Sequence, residues 1–255
     1  MTIQGIPIDM ASVSVIGGAH RGLLGAIRLS SRVPLDGAET ELIDCFLARG
    51  IRKGGHGTRI TAFVEPRLAS GFPDIVIAYW RPRVFEAWDV HRSSLGVDDV
   101  RILHFLHGVR SADLETLCRM LDPKRKRVAE SLKRLHLAKL VRFRGGLWVP
   151  RALDRVFGIR DLIAVEAKVR DWRRALEQAR LNRWFASVSC VLMPTSSVHE
   201  AVIDQATAYG VGVIGRDGNG HLDELLEPAA DEIPGSYGSW LFNEWVGRSI
   251  THAST

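Results

Sequence analysis

Three residues in two distant apolar segments have the types and spacing of a hydrolytic site. Asp74 opens the apolar run 75–78, and Glu166 and Lys168 close the apolar run 162–168. Alternate side chains of a strand share a face, so Glu166 and Lys168 are expected to project together, with Asp74 beside them if the strands pair. Two carboxylates and a lysine can hold a divalent cation and position a water molecule, which predicts metal-assisted phosphodiester hydrolysis.

These short strings resemble a known nuclease signature. Pro73-Asp74 and Glu166-Ala167-Lys168 are similar to the two motif elements of the PD-(D/E)xK, or restriction-endonuclease-like, superfamily, and the resemblance covers roughly residues 35–80 and 155–215. It implies an α/β fold, a three-layer restriction-endonuclease-like core with the element order αβββαβ. It also implies a Mg²⁺-dependent deoxyribonuclease, expected to be an endonuclease, with Mn²⁺ as a possible substitute cation.

The resemblance assigns roles to residues of this chain. The implied catalytic residues are Asp74, Glu166, Lys168 and Gln178, the last on the helix after the second motif. The implied metal ligands are Asp74, Glu166, the carbonyl of Ala167 and Glu39.

Each of these residues also has a simpler interpretation. Glu39 is equally well a helix-capping residue. The resemblance implies a further acid in addition to Asp74 and Glu166, and Glu65, at a strand end, is the outside candidate for that role. Taken alone, an aspartate after a proline is usually a turn residue, and a Glu-x-Lys string is usually an exposed ion pair. The joint occurrence of both motifs at strand positions favours the nuclease interpretation.

The apolar periodicity predicts the elements that position these residues. A strand is expected at 13–16, a turn at Gly17–Gly22 and a helix at 34–49 capped by Asp36, followed by strands at 58–66 and 72–79. The second half predicts a strand at 162–168, a helix at 171–185, a strand at 188–193, a helix at 198–209 and a strand at 211–214.

The middle of the chain predicts a separate module. Helices are expected at 97–107, 111–121 and 123–137, and a β-hairpin with a Gly-Gly turn at 140–149. Three helices followed by a hairpin resemble a winged helix-turn-helix, a fold that implies DNA binding through the third helix and the wing, although such modules also bind proteins. The predicted domains are 1–92 and 153–255, two parts of the nuclease-like core, with 95–150 inserted between them.

Positive charge is concentrated in this module. Residues 124–144 contain nine Lys or Arg and one acid, a net charge of +8, whereas the whole chain carries +5. A polyanionic partner is the natural inference, and a solvated basic helix face is the alternative. The predicted DNA-binding residues are Lys124, Arg125, Lys126, Arg127, Lys133, Arg134, Arg142 and Arg144.

Composition narrows the class of protein. No apolar run is long enough for a membrane span, and the N-terminus lacks the pattern of a signal peptide. Three widely spaced cysteines favour free thiols in a reducing compartment, so a cytoplasmic location is expected. Trp240, Phe242 and Trp245 are expected to pack against the nuclease-like core.

Three functions are compatible with the sequence. The first is a Mg²⁺-dependent nuclease whose winged helix binds double-stranded or branched DNA, as a homodimer or within a larger DNA-processing complex. The second is a non-catalytic DNA-binding protein or regulator on a nuclease-like scaffold. The third is a nuclease whose winged helix binds another protein. The amino-acid sequence does not determine whether the substrate is DNA or RNA or which base sequence is recognised. It also leaves open the biological pathway and the number of copies in the assembly.

Overall fold

The computed structural model describes residues 13–33, 36–233 and 235–253. The chain divides into two compact units. Unit 1 contains the residues up to Arg81 together with Ile159–Gly235, and unit 2 contains Pro82–Gly158 together with the residues from Ser236 onward. Among the described residues, none of the helices combines the length and the apolar character needed to cross a bilayer.

Ten α-helices and nine strands are described. The helices are α1 Arg21–Ile27, α2 Ala38–Arg49, α3 Pro82–Glu86, α4 Val97–Val109, α5 Leu114–Met120, α6 Arg125–Leu137, α7 Leu153–Val156, α8 Trp172–Asn182, α9 Glu200–Tyr209 and α10 Tyr237–Ala253. The strands are β1 Val13–Ile16, β2 Arg59–Val64, β3 Ile75–Trp80, β4 Val141–Arg144, β5 Leu147–Pro150, β6 Ile159–Ala167, β7 Val188–Pro194, β8 Gly212–Arg216 and β9 Leu222–Leu226.

Unit 1 is built on a seven-stranded sheet with the order β1-β2-β3-β6-β7-β8-β9. The pairs β1–β2, β6–β7 and β7–β8 are parallel, and the other three pairs are antiparallel. Along the chain, α2, β2, β3, β6, α8 and β7 follow one another in the predicted αβββαβ order. The α/β class is therefore confirmed.

Helices cover both faces of this sheet. Leu42 and Phe46 of α2 share one apolar cluster with Val165 of β6, whereas Ala175 and Leu176 of α8 share another with residues of β7 and β8. Neighbouring residues of β7 divide between the two clusters, because successive strand residues point to opposite faces. The result is a helix–sheet–helix arrangement in which α2 and α8 lie on opposite sides of β6.

Unit 2 contains the predicted three helices, α4 to α6, and the two-stranded hairpin β4–β5. It also contains α10. The side chain of Arg92 donates to the Glu244 carboxylate of α10 at 2.7 Å, and both residues are buried. The Trp240 ring of α10 meets the Phe157 ring edge-on at 5.0 Å and the His107 ring in a tilted contact at 4.8 Å. The predicted placement of the C-terminal aromatic residues against the nuclease-like core, within a domain 153–255, thus differs from the structure.

Two local expectations in the first segment differ from the structure. The turn expected at Gly17–Gly22 is found only in its first part, closed by a hydrogen bond from the N–H of His20 to the carbonyl of Gly17, because α1 begins at Arg21. Helix α2 begins at Ala38 with Gly37 as its N-cap, without a side-chain capping bond, so Asp36 does not cap it and Glu39 does not belong to a capping box. Residues 34 and 35 of the predicted helix lie outside the described residues. The three cysteines are free thiols, as predicted.

Candidate active site

Asp74 lies immediately before β3, at the point where β3 and β6 run antiparallel. Ile75 is paired with Val165, so the continuing register places Asp74 opposite Glu166. The Asp74 carboxylate accepts a 2.7 Å hydrogen bond from the backbone N–H of Ala167, and its own carbonyl accepts one from Glu65. The backbone of both neighbouring strands therefore fixes this buried aspartate.

Glu166 is the most deeply buried acid of the site, with only 1% of its surface exposed. Its Oε1 accepts a 2.6 Å hydrogen bond from Nδ2 of Asn182, which lies at the end of α8. Its Oε2 has no hydrogen-bond partner among the described residues. Burying an acceptor without a partner costs about 1–3 kcal/mol. The carboxyl group of Asp74 lies within hydrogen-bonding reach of Glu166 and raises its pKa, so the two acids share one buried environment.

The buried carboxyl groups favour the protonated state. Burial is the main cause that raises the pKa of Asp74, and the charges of Glu65 and Glu39 raise it further. Burial also raises the pKa of Glu166 well above its usual value, and the charge of Asp74 is the second cause. Two neighbouring carboxyls cannot both ionise easily unless a cation compensates them.

Lys168 follows the last residue of β6, and its amine forms a 2.6 Å ion pair with Oε2 of Glu39 on α2. Because α2 covers the sheet face opposite α8, Lys168 and Glu166 make their side-chain bonds to different helical layers. The prediction that Glu166 and Lys168 project together stays a prediction, since only their different hydrogen-bond partners are seen. The ammonium charge still lowers the pKa of both Asp74 and Glu166, so it acts on the site.

Gln178 lies on α8, one helical turn before Asn182, so both face the same side of that helix. Its Oε1 is buried and has no hydrogen-bond partner among the described residues. Ala167 contributes its N–H to Asp74, as described above. The predicted ligand role of the Ala167 carbonyl stays a prediction.

Glu65 lies beside Asp74 in an uncommon backbone conformation. It follows β2 with a φ of 49°, which is left-handed, and it is buried. Its carboxylate pairs with the guanidinium of Arg32, which stacks on the Phe72 ring with 4.4 Å between the guanidinium carbon and the ring centroid. Glu65, the outside candidate for the further acid, is thus close to Asp74, but its carboxylate is already paired with Arg32.

The acids fit a cation held by few protein ligands. Among residues 13–33, 36–233 and 235–253, no group of three or more His, Cys, Asp or Glu side chains is arranged to hold a metal ion. Oε2 of Glu39 is paired with Lys168, and the predicted ligand role of Glu39 stays a prediction. Mg²⁺, however, is commonly bound by one or two carboxylates together with water and substrate phosphate oxygens. Two hard oxygen donors with raised pKa values, one with an unpartnered oxygen, satisfy that requirement.

The predicted DNA-binding residues lie on α6 and the hairpin of unit 2, and they divide into two groups. Arg134 donates to both oxygens of the buried Asp99, so it has a structural partner within unit 2. Arg127 pairs with Asp98 at 2.8 Å at the surface, where such a pair contributes little to stability. Arg125 is 3.9 Å from Glu115, both largely exposed. The remaining five are exposed, and their side chains form no ion pair in the described part of the chain: Lys124, Lys126, Lys133, Arg142 and Arg144.

Asn182 is the functional candidate that sequence reasoning missed. The signal was present, because Asn182 is four residues after Gln178 on a predicted amphipathic helix, and i and i+4 side chains are neighbours. What the sequence could not reveal is the contact with Glu166, since that depends on how α8 packs on β6.

Comparisons of the chain with protein-family models, with curated proteins and with solved structures found no match.

Proposed function

We propose that the protein is a metal-dependent nuclease that hydrolyses DNA phosphodiester bonds at Asp74, Glu166 and Lys168, on a restriction-endonuclease-like core. One observation carries the proposal. Two carboxyl groups on neighbouring strands are buried together with raised pKa values, beside a lysine, and one of their oxygens has no partner. A purely structural role would leave this arrangement unfavourable, because buried acids without a compensating charge destabilise a fold.

In this proposal Asp74 and Glu166 hold Mg²⁺ or Mn²⁺. When bound, the cation supplies Lewis-acid polarisation of the phosphate and acidification of water. Lys168 donates a hydrogen bond to a phosphate oxygen and offsets the negative charge that develops there during attack. The unpartnered Oε1 of Gln178 accepts a hydrogen bond from the attacking water and orients it. The water oxygen forms the new bond to phosphorus as the ester P–O bond breaks; the attacking water gives up a proton to solvent, and the leaving oxygen takes one up from solvent to become the alcohol product.

Asn182 acts through Glu166 as a positioning residue. Its Nδ2–H group holds Oε1 of Glu166 and lowers the pKa of that carboxyl. The hydrogen bond therefore favours the ionised form that a cation requires, and it leaves Oε2 to face the ligand.

Unit 2 is the proposed DNA-binding part, a winged helix. Five exposed Lys and Arg side chains without acidic partners in the described structure lie on or beside α6 and the hairpin. Cationic side chains of this kind bind phosphates with little dependence on sequence, and their affinity falls steeply with salt. These exposed cations also favour a second candidate function, that of a DNA-binding protein without cleavage activity.

Incubation with supercoiled plasmid distinguishes the two functions. Wild type, Lys168→Ala and Asp74→Asn are compared in Mg²⁺, Mn²⁺ and EDTA, with Lys53→Ala as the control because Lys53 is an exposed lysine of the same unit. The nuclease proposal expects metal-dependent nicking or linearisation by wild type and Lys53→Ala, and a loss of about 100-fold or more in the two site variants. A shifted DNA band without cutting in either metal would favour the second function, and cutting by Asp74→Asn would refute the assigned site.

A further inference from the structure

An exposed aromatic ring stands on the hairpin of unit 2. Phe143 of β4 is 58% exposed, although it is paired across the hairpin with Trp148 of β5. Single exposed apolar side chains are common on protein surfaces, so exposure alone carries no functional meaning. The surroundings of this ring are what distinguish it.

The ring is held in place by a short series of aromatic contacts. Phe143 and Trp148 have ring centroids 5.0 Å apart with an interplanar angle of 49°. Trp148 in turn meets the ring of His136, from the last turn of α6, in an edge-on contact at 6.1 Å. The backbone of Trp148 also exchanges hydrogen bonds with Ala112 in both directions, at 2.8 and 3.1 Å. The exposed ring is therefore supported from the helical body, and fixing it against a ligand costs little conformational entropy.

The hairpin separates aromatic from cationic side chains. Alternate residues of a strand point to opposite faces, so Phe143 lies on one face and its neighbours Arg142 and Arg144 on the other. Gly145 and Gly146 form the two-residue turn with φ values of 58° and 81°, the left-handed values that a tight hairpin turn requires. The hairpin thus offers an aromatic surface on one side and two arginines without acidic partners in the described residues on the other.

We propose that this hairpin binds a DNA duplex at its junction with single strands, with the Phe143 ring stacked on an unpaired base and Arg142 and Arg144 on the phosphates. The inference rests on the DNA-binding part of the proposed function and names its substrate class as branched or frayed DNA. Base–aromatic stacking strengthens binding to single strands and tolerates any base, because every base has a π-face. In an intact duplex the bases are already stacked on one another, so an exposed ring gains this contact only where a base is unpaired or a base step is opened.

The test is binding in EDTA, so that cleavage plays no part. Fluorescence anisotropy compares a blunt duplex with a forked duplex of the same paired sequence, which carries 2-aminopurine at the first unpaired position. Wild type is expected to bind the fork more tightly than the duplex and to quench the 2-aminopurine. In Phe143→Ala the affinity for the fork should fall about ten-fold, while the affinity for the duplex changes less than about two-fold.

Two variants control for damage to the hairpin. Phe143→Trp should keep the fork preference, because it retains a stacking ring. Leu147 is 39% exposed and is paired with Arg144, on the face of the hairpin opposite to Phe143. Leu147→Ala should therefore leave both affinities unchanged. Equal binding of the two DNAs by wild type, an equal loss on both in Phe143→Ala, or no binding to either would overturn the proposal. Plasmid cleavage at the Asp74–Glu166 site is measured separately, so the two proposals fail independently.

Discussion

Asp74 and Glu166 face each other across two antiparallel strands, and the negative charge of Asp74 is one cause of the raised pKa of Glu166. The fold therefore holds together two groups that repel each other when ionised. Their backbone and side-chain hydrogen bonds, from Ala167 and Asn182, keep them in place despite this cost.

The first prediction concerns stability and pH. A carboxyl whose pKa is raised on folding holds its proton more tightly in the folded state, so stability falls as pH rises from the unfolded pKa, about 4.3, through the folded pKa. Glu166→Gln keeps the acceptor for Asn182 and removes the charge, and it should raise the free energy of unfolding at pH 8 by at least about 1 kcal/mol. Chemical denaturation at pH 5 and pH 8 measures the change.

Glu41→Gln is the matched control for this measurement, because Glu41 is an exposed acid of the same unit. Its effect should stay within about 0.5 kcal/mol at both pH values. A Glu166→Gln protein that is less stable than wild type at pH 8 would show that the carboxylate is favourably compensated in the folded state.

The second prediction separates two roles for Glu39. Its 2.6 Å ion pair with Lys168 indicates that it orients the lysine rather than binding the cation. Glu39→Gln should therefore lower the cleavage rate about ten-fold through a misplaced lysine, with the Mg²⁺ concentration at half-maximal rate unchanged. A large increase in the required Mg²⁺ concentration would instead make Glu39 a metal ligand. Glu41→Gln serves again as the control on α2.

The third prediction concerns Asn182. Because its hydrogen bond lowers the pKa of Glu166, Asn182→Ala should raise that pKa and move the acidic limb of the profile of kcat/KM against pH to higher pH. Ser189→Ala is the control, since its hydroxyl also makes a buried hydrogen bond to α8, but to the carbonyl of Ala179. A shift of the same size in both variants would mean that Asn182 only supports the packing of the helix.

The fourth prediction divides the basic residues of α6 by role. Arg134→Ala leaves the carboxylate of Asp99, which is 1% exposed, without its partner, and should destabilise the protein by about 2 kcal/mol. This figure is below that of a fully buried pair, because the Arg134 side chain is 41% exposed. Lys126→Ala should leave stability unchanged, lower DNA affinity and reduce the salt slope of binding by about one. Thermal denaturation and salt titrations distinguish the two, and equal stability of both variants would contradict the division.

Apolar patterning was sufficient to predict most of the elements. Strands β2, β3 and β7 are nearly continuous apolar runs, and β6 is apolar from Leu162 to Val165, as expected for strands covered on both faces by helices. The helix at Arg21 was missed because its sequence, RGLLGAI, follows a glycine-rich stretch and contains two further glycines, which weaken any helical signal. The start of α2 was misplaced because Asp36 and Glu39 have capping-box spacing that the backbone does not use.

The candidate site was predictable in part. The motif residues lie at the predicted strand ends, since strand boundaries are encoded locally. The partners of Lys168 and Glu166 were not predictable, because Glu39 and Asn182 come from helices whose packing on the sheet is a tertiary property. The partner of Arg134 was not predictable either. The charge pattern predicts that Arg134 binds DNA, but its guanidinium donates to Asp99.

Helix α10 sets the order in which the two units of the chain can complete their folding during synthesis. Arg92, buried near the start of unit 2, is neutralised by Glu244, a residue about 150 positions further along the chain. During synthesis the three helices and the hairpin emerge first, yet that guanidinium stays uncompensated until α10 has been made. The segment 159–235, which completes the sheet of unit 1, is translated in between. In a ribosome-bound chain that stops before residue 244, the sheet of unit 1 can be complete while unit 2 still lacks the partner of Arg92, so the sheet is expected to mature first.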